Sequence, residues 1–404
     1  RDYAVTGVQT CALPIFLFNT KSVFKTMLLM FLISITLPAL MSSGALPTLI
    51  YHVSQLMVGH NLLLSAFWVS ALMSMFLGSA IGTLTILLPL FSSIALQSGI
   101  ADPLLIGALI SGIYIGDRCS PISSGLHLLS NLTETDYRSN MKVLLISTIV
   151  PFLITSVVFW QIGQDNLITS SMIADNAHLK SAFDISLWRL FPLVLMLLLI
   201  AMKQPIVRVL TLVFFICTAM TLFRSTPVHI YADYLFQGYH VEAFTFIKTS
   251  GFKQMINVIL VIFFSGVLNS FLEADSLIKP MIEPFISKIR SQRQLVFNAG
   301  ILSIILSMIT CSQAMTSIIT GKYLSPYFEH YKIKKEYLVL ACSNAGLNVV
   351  ALIPWNVNGI MISELSGVKT FHYFAYSIFV VLLTFSTLFF YPFVIEKINL
   401  KATR

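Results

Sequence analysis

The chain has 404 residues, of which 56% are hydrophobic and 10% charged, with a formal net charge of +8. A soluble domain carries about 25% charged residues, so a water-soluble protein is excluded, in keeping with a mean hydropathy of +0.85. The basic excess sits in short loops, such as Lys332, Lys334 and Lys335 or Lys288, Arg290 and Arg293, which is a topology signal rather than a nucleic-acid surface.

Val5 to Ile15 resembles the conceptual translation of a sequencing-library adapter and lacks the charged start and apolar core of a signal peptide. Residues 1–15 are therefore set aside as an artefact, and further native spans are expected before residue 16. About ten apolar crossings or half-crossings follow, judged against a hydrocarbon core near 30 Å thick. They run over 23–41 with a second piece to Val58, then 62–77, 84–97, 103–116, 141–161, 187–202, 205–223, 254–272, 296–319, 337–353 and 372–393. The stretch 224–253 mixes aromatic and charged residues and reads as interfacial.

The breaks between the apolar pieces recur in order. Gly78 to Thr83, with Gly82, is followed by Gly116 to Gly125, with Pro121. Thr310 to Gln313 with Thr320-Gly321 is followed by Gly346 to Gly359, with Pro354 and Trp355. Non-helical backbone at membrane depth must be buried or line a watery cavity, and paired Gly/Pro interruptions point to a transporter's binding site. The expected fold is an all-α polytopic membrane protein with inverted repeats and broken or re-entrant helices. A first repeat spans 16–223, a connector 224–253 and a second repeat 254–404.

Asp117 follows a long apolar run, and a carboxylate at the bilayer centre costs about 2.5–3.5 kcal/mol even on lenient scales. It must be paired, protonated or bound to a cation. Arg118 is a poor partner in a regular helix, where adjacent residues point apart. Ser120, Ser123, Asn344 and Asn356 supply the neutral oxygens that a small hard cation accepts, although buried Asn and Ser also commonly bond between helices. His127 is a candidate proton relay, against the plainer reading of a structural histidine.

No Walker loop holds ATP, no nucleophile–base constellation marks an enzyme, and five scattered cysteines give neither a zinc site nor a disulfide framework. No cofactor is expected, and no metal beyond a transported ion.

Gly116-Asp-Arg-Cys-Ser-Pro-Ile-Ser123 and Leu352-Ile-Pro-Trp-Asn356 resemble two signatures of the NhaC-type sodium/proton antiporter family, within the ion-transporter superfamily. Gly78-Ser-Ala-Ile-Gly-Thr83 and Gly44-Ala-Leu-Pro47 are similar to two more, in order, over most of residues 24–395. The resemblance implies a multi-pass antiporter of the bacterial inner membrane that exchanges Na+ and H+, with Asp117 as the titratable ligand. The chain departs from the family pattern where acids are replaced by Ser124, Ser312, Ser343 and Asn344, and where Gly125 stands for Thr. The alternative is coupled exchange or symport of a small organic acid or amino acid, whose carboxylate Arg118 could pair. A third reading is a membrane scaffold or receptor without transport. The expected partners are the transported solutes and the lipid bilayer, with a homodimer left open.

Overall fold

The computed structural model describes residues 24, 27–121, 123–164, 180, 183–202, 204–224, 226–241, 244–248, 251–272, 280, 282–285 and 289–402. The adapter-like segment 1–15 and most of the charged stretch 273–288 lie outside these residues.

The first half is built from α1 (Met27–Ser42), α2 (Ala45–Leu56), α3 (Leu62–Leu77), α4 (Ala80–Ser98), α5 (Asp102–Cys119), α6 (Ser124–Thr133) and α7 (Tyr137–Ile162). A 3-10 turn at Leu187–Leu190 leads into α8 (Phe191–Ala201) and α9 (Ile206–Leu222). The predicted interfacial stretch holds α10 (Val228–Gln237) and an antiparallel hairpin, β1 (His240–Val241) with β2 (Phe244–Lys248). The second half comprises α11 (Phe252–Leu272), α12 (Gln292–Thr310), α13 (Gln313–His330), α14 (Glu336–Leu352), α15 (Val357–Ser366), α16 (Thr370–Phe374), α17 (Ile378–Phe389) and α18 (Tyr391–Ala402). Apart from the hairpin, the described residues are all-α. Helices α7 and α12 are each long and apolar enough to cross a membrane, and three bent pairs reach that length together: α1/α2 at 70°, α14/α15 at 42° and α17/α18 at 42°. The protein is an all-α polytopic membrane protein.

Each break solves the same problem: a helix end exposes unpaired N–H and C=O groups that lipid cannot satisfy. At the first, Gly44 turns left-handed (φ 83°), and the buried Arg189 donates to the freed Ser43 carbonyl at 2.6 Å. Between α3 and α4, Gly78 turns left-handed, Ser79 extends, and the Ser79 hydroxyl accepts the Gly82 N–H. Between α12 and α13, Cys311 turns left-handed, Ser312 extends, and the Ser312 hydroxyl accepts the Met315 N–H. Thr83 and Thr316 each donate back to the carbonyl of that capping serine, at 2.8 and 3.0 Å.

The match is one of numbering as well as shape. The three non-glycine residues with positive φ among the described residues are Glu134, Cys311 and Lys332, and their counterparts are the positive-φ glycines Gly367, Gly78 and Gly99. Each pair lies 233 positions apart. So do Pro121 and Pro354, the capping residues Ser123 and Asn356, and the caps Asp136 and Lys369 that open α7 and α16. The expected recurrence of breaks is thus an ungapped backbone repeat over 78–137 and 311–370. One expected interruption is absent, because Thr320-Gly321 lies inside the continuous helix α13.

The tightest crossing is α3 on α5. A Cβ on Gly112 would run into Ser70 and the Phe67 carbonyl, and one on Gly116 into the backbone of Ser74 and Met75. Small residues four apart let membrane helices approach to backbone contact. This approach fixes the end of α5, and with it Asp117, against the α3–α4 break.

Candidate transport site

Asp117 and Arg118 sit in the last turn of α5, which runs on to Cys119. Their side chains diverge, as regular helix geometry requires. Asp117 Oδ1 accepts the Ala80 N–H at 3.0 Å, and Oδ2 accepts Gln313 Nε2 at 3.2 Å. Ala80 and Gln313 are the first residues of α4 and α13 and are repeat counterparts. The carboxylate therefore bridges equivalent helix starts, one from each half, where the positive ends of the helix dipoles favour negative charge. Gln313 Nε2 also donates to the Leu347 carbonyl at 3.2 Å, tying the carboxylate to α14.

Arg118 points the other way and is 6% exposed. It donates to Asn344 Oδ1 and, at 2.6 Å, to Thr148 Oγ1. Its guanidinium lies 5.7 Å from the Phe379 ring centre, and its Nε has no hydrogen-bond partner. Among the described residues no acid forms an ion pair with it. Asn344 is placed by a π-helical turn at Cys342–Gly346 within α14, and its Nδ2 donates to Ser147 Oγ at 3.1 Å. The carbonyls that the irregular turn exposes are taken by side chains: Thr384 on Asn344 and Ser307 on Gly346.

The other predicted residues fall into two groups. Ser120 and Ser123 stand in the α5–α6 break beside Asp117. The Ser120 hydroxyl donates to the Met75 carbonyl at 2.7 Å, and that of Ser123 donates to the Asp117 carbonyl. Asn356 is not brought to Asp117: its Oδ1 caps α15 at the Asn358 N–H, and its Nδ2 donates to the Ser307 carbonyl at 3.0 Å. Trp355 Nε1 donates to the Met308 carbonyl at 2.8 Å. Gly82, Thr83 and Gly359 lie in the first turns of helices, Gly116 near the end of α5, and Gly346 in the π-helical turn. His127 stacks on the Tyr137 ring at 4.0 Å, and the Tyr137 hydroxyl donates to the Ser120 carbonyl at 2.5 Å. Tyr373 does the same for the Ala351 carbonyl at 2.8 Å. A tyrosine hydroxyl thus covers a loose carbonyl at each proline-bearing break.

Ala80, Gln313 and the tyrosines were not singled out in the sequence. Gln313 opens a helix after a capping serine, as Ala80 does, and the 233-residue spacing would have located it.

A cavity of about 380 Å³ adjoins the site, lined by Ser79 and Gly82 on one side and Pro121, Ser124 and His127 on the other, with the α8–α9 turn as a further wall.

A membrane fold of paired broken helices, with one partly exposed carboxylate where their starts converge, defines a secondary transporter. Comparison with known families bears this out: the Na+/H+ antiporter family profile matches residues 19–126 and 112–396, and the chain belongs to that family. The malate-2H(+)/Na(+)-lactate antiporter of Bacillus subtilis is 25% identical over 342 residues, 82% of this chain and 73% of the relative. The Na(+)/H(+) antiporter NhaC of the same organism is 24% identical over 371 residues, 89% of this chain and 82% of the relative. The arginine/ornithine antiporter ArcD of Halobacterium salinarum is 21% identical over 366 residues, 86% and 74% of the two chains.

Proposed function

We propose that the chain exchanges Na+ for H+ across a bacterial inner membrane by alternating access, with Asp117 holding either ion in turn. The observation that carries this reading is the double anchoring of the carboxylate by Ala80 and Gln313. An ionised carboxylate has about four lone-pair positions, so two bonds fix its orientation and leave capacity for a cation or a proton. The hydroxyls of Ser120 and Ser123 border the same break. The repeats 16–223 and 254–404, joined by 224–253, are the units that rearrange. The membrane potential supplies about 2.3 kcal/mol per charge per 100 mV. In everted vesicles Asp117→Asn is expected to abolish Na+-induced dissipation of ΔpH while the protein still folds; retained dissipation overturns the assignment.

One observation favours a second reading, exchange of a small organic anion. Arg118 is buried among neutral acceptors, and a buried charge is costly unless paired. A substrate carboxylate could replace Asn344 at the guanidinium, and one relative is a malate/lactate antiporter. Asn344→Asp would give Arg118 a permanent carboxylate. In proteoliposomes this variant should then lose uptake of labelled dicarboxylate and keep Na+/H+ exchange. Dicarboxylate uptake undiminished in Asn344→Asp, or absent from the unmodified protein, rejects this reading.

A further inference from the structure

Two buried polar atoms near Asp117 have no hydrogen-bond partner among the described residues: the hydroxyl of Tyr114 and Oδ1 of Asn348. Tyr114 is 2% exposed and Asn348 1%, so both are shut off from bulk water, and native structures rarely leave such groups unsatisfied. Their surroundings bracket them together. On α5, Tyr114 shares a face with Ser111 and Asp117, one turn to either side. At the Ser111 end, Ser111 Oγ accepts the Phe379 N–H at 3.4 Å. Asn348 Nδ2 donates to the carbonyl of the next residue of α17, Val380, at 3.2 Å. At the Asp117 end, Gln313 Nε2 is shared between Asp117 Oδ2 and the carbonyl of Leu347, the residue before Asn348. Asn348 is thus tethered between the levels of Ser111 and Asp117, where Tyr114 also lies, and its segment of α14 packs on α5. The Tyr114 hydroxyl is within electrostatic range of the Asp117 carboxylate and of the Tyr373 hydroxyl. Tyr373 in turn donates to the carbonyl of Ala351, one turn past Asn348.

We infer that the Tyr114 hydroxyl and Asn348 Oδ1 form, together with the Asp117 carboxylate, an oxygen-lined subsite for the transported Na+. The three groups suit a small hard monovalent cation: one carboxylate balances its charge, and two neutral oxygens with unused lone pairs replace water. Asn344 is unsuited to this part, because its Oδ1 is held by the Arg118 guanidinium, whose charge repels a cation. A proton on Asp117 needs no further ligand, whereas a bound Na+ does. The two neutral oxygens therefore weight the competition at the carboxylate toward Na+. The inference rests on Asp117 as the exchanging group and adds what distinguishes its two ions.

The test reads Na+ binding and exchange separately in the full chain. The unfolding temperature in detergent is followed as NaCl replaces choline chloride at constant ionic strength, and exchange is measured in everted vesicles. Tyr114→Phe removes a hydroxyl that bonds to no described protein group, so the fold tolerates it. It is expected to raise the half-saturating Na+ concentration by about tenfold in both assays, with the maximal exchange rate at saturating Na+ retained. Asn348→Leu should do the same. Asn348→Asp keeps an oxygen at that position while losing the amide donor to Val380, and should bind Na+ at least as well as the unmodified protein. Unchanged half-saturation in Tyr114→Phe overturns the inference and leaves the hydroxyl to a structural water. Equal weakening in Asn348→Leu and Asn348→Asp also overturns it, reducing Asn348 to a strut on Val380. Failure of the Asp117 assignment is a separate result, since Asp117→Asn would then keep the Na+-dependent stabilisation whatever the other variants do.

Discussion

Ala80 and Gln313 occupy equivalent first positions of α4 and α13, and both donate to the carboxylate of Asp117. One uses its backbone and the other its side chain, so only the second contact can be removed by substitution. A hydrogen bond to a charged group contributes about 1.5–3 kcal/mol. Gln313→Leu is therefore expected to raise the half-saturating Na+ concentration in vesicle exchange assays by about tenfold or more. An unchanged value would mean that the amide does not help hold the ionised carboxylate.

Arg118 and Asn344 should respond unequally to truncation. Removing Asn344 strands a buried guanidinium, whereas replacing the guanidinium with an apolar chain of similar size removes the burden itself. Asn344→Ala is expected to cost about 1.5–3 kcal/mol, and Arg118→Met, which leaves only the neutral Asn344 Oδ1 without its donor, to cost less, in thermal unfolding in detergent. Equal losses would show that Arg118 has an acidic partner elsewhere.

The α3–α5 crossing predicts a contrast between two glycines. Gly116→Ala places a methyl group in the Ser74–Met75 backbone and should destabilise by at least about 1–3 kcal/mol, visible as lost folded yield. Gly125→Ala in α6 meets only the Ser123 hydroxyl at 3.9 Å. It should be neutral or gain up to about 1 kcal/mol from helix propensity.

Left-handed backbone costs an ordinary residue roughly 1–2 kcal/mol. Glu134→Gly and Lys332→Gly, which copy the counterparts Gly367 and Gly99, are each expected to stabilise the protein by about 1 kcal/mol. Gly78→Ala should do the reverse. Unfolding temperatures of the three variants check the repeat position by position.

Asp184 precedes α8, outside the membrane-spanning helices, and Arg189 donates to its carboxylate at 2.5 Å, holding it below the usual carboxylate range. A depressed acid stabilises the fold above its unfolded value, near about 3.9. That contribution is lost as pH falls through the lowered folded value. The difference in Tm between the unmodified protein and Asp184→Asn should stay constant from about pH 8 to 5 and shrink as pH falls below the unfolded value and through the lowered folded one. Because the side chain is 61% exposed, the difference should be small and shrink further with salt.

Much of this was legible in the residues. Apolar run length gave most helices to within a few residues, since a bilayer demands it, and Gly78, Pro121 and Pro354 marked real breaks because their backbone requirements are local. The 296–319 run was read with its interruption, but the αL turn falls on Cys311, which no propensity favours; only its alignment with Gly78 explains it. Asp117 stood out because a charge in an apolar run needs a reason. Its partners did not, since a backbone N–H at Ala80 has no sequence signal, and Gln313 is 196 residues away. Asn356, read as an ion ligand, acts locally as a cap and strut, a use of asparagine that composition cannot separate from ligation.

The π-helical turn at Cys342–Gly346 takes up backbone that the 3-10 turn at Val350–Leu352 gives back, so α14 begins and ends in step with α5. Between those two turns its residues are rotated out of phase with their counterparts. The two halves agree at their ends and disagree in the middle, where Asn344 meets Arg118. Asp117 and Arg118 have Val350 and Ala351 as their counterparts, so the duplicated plan differs between its halves in charge as well as in phase.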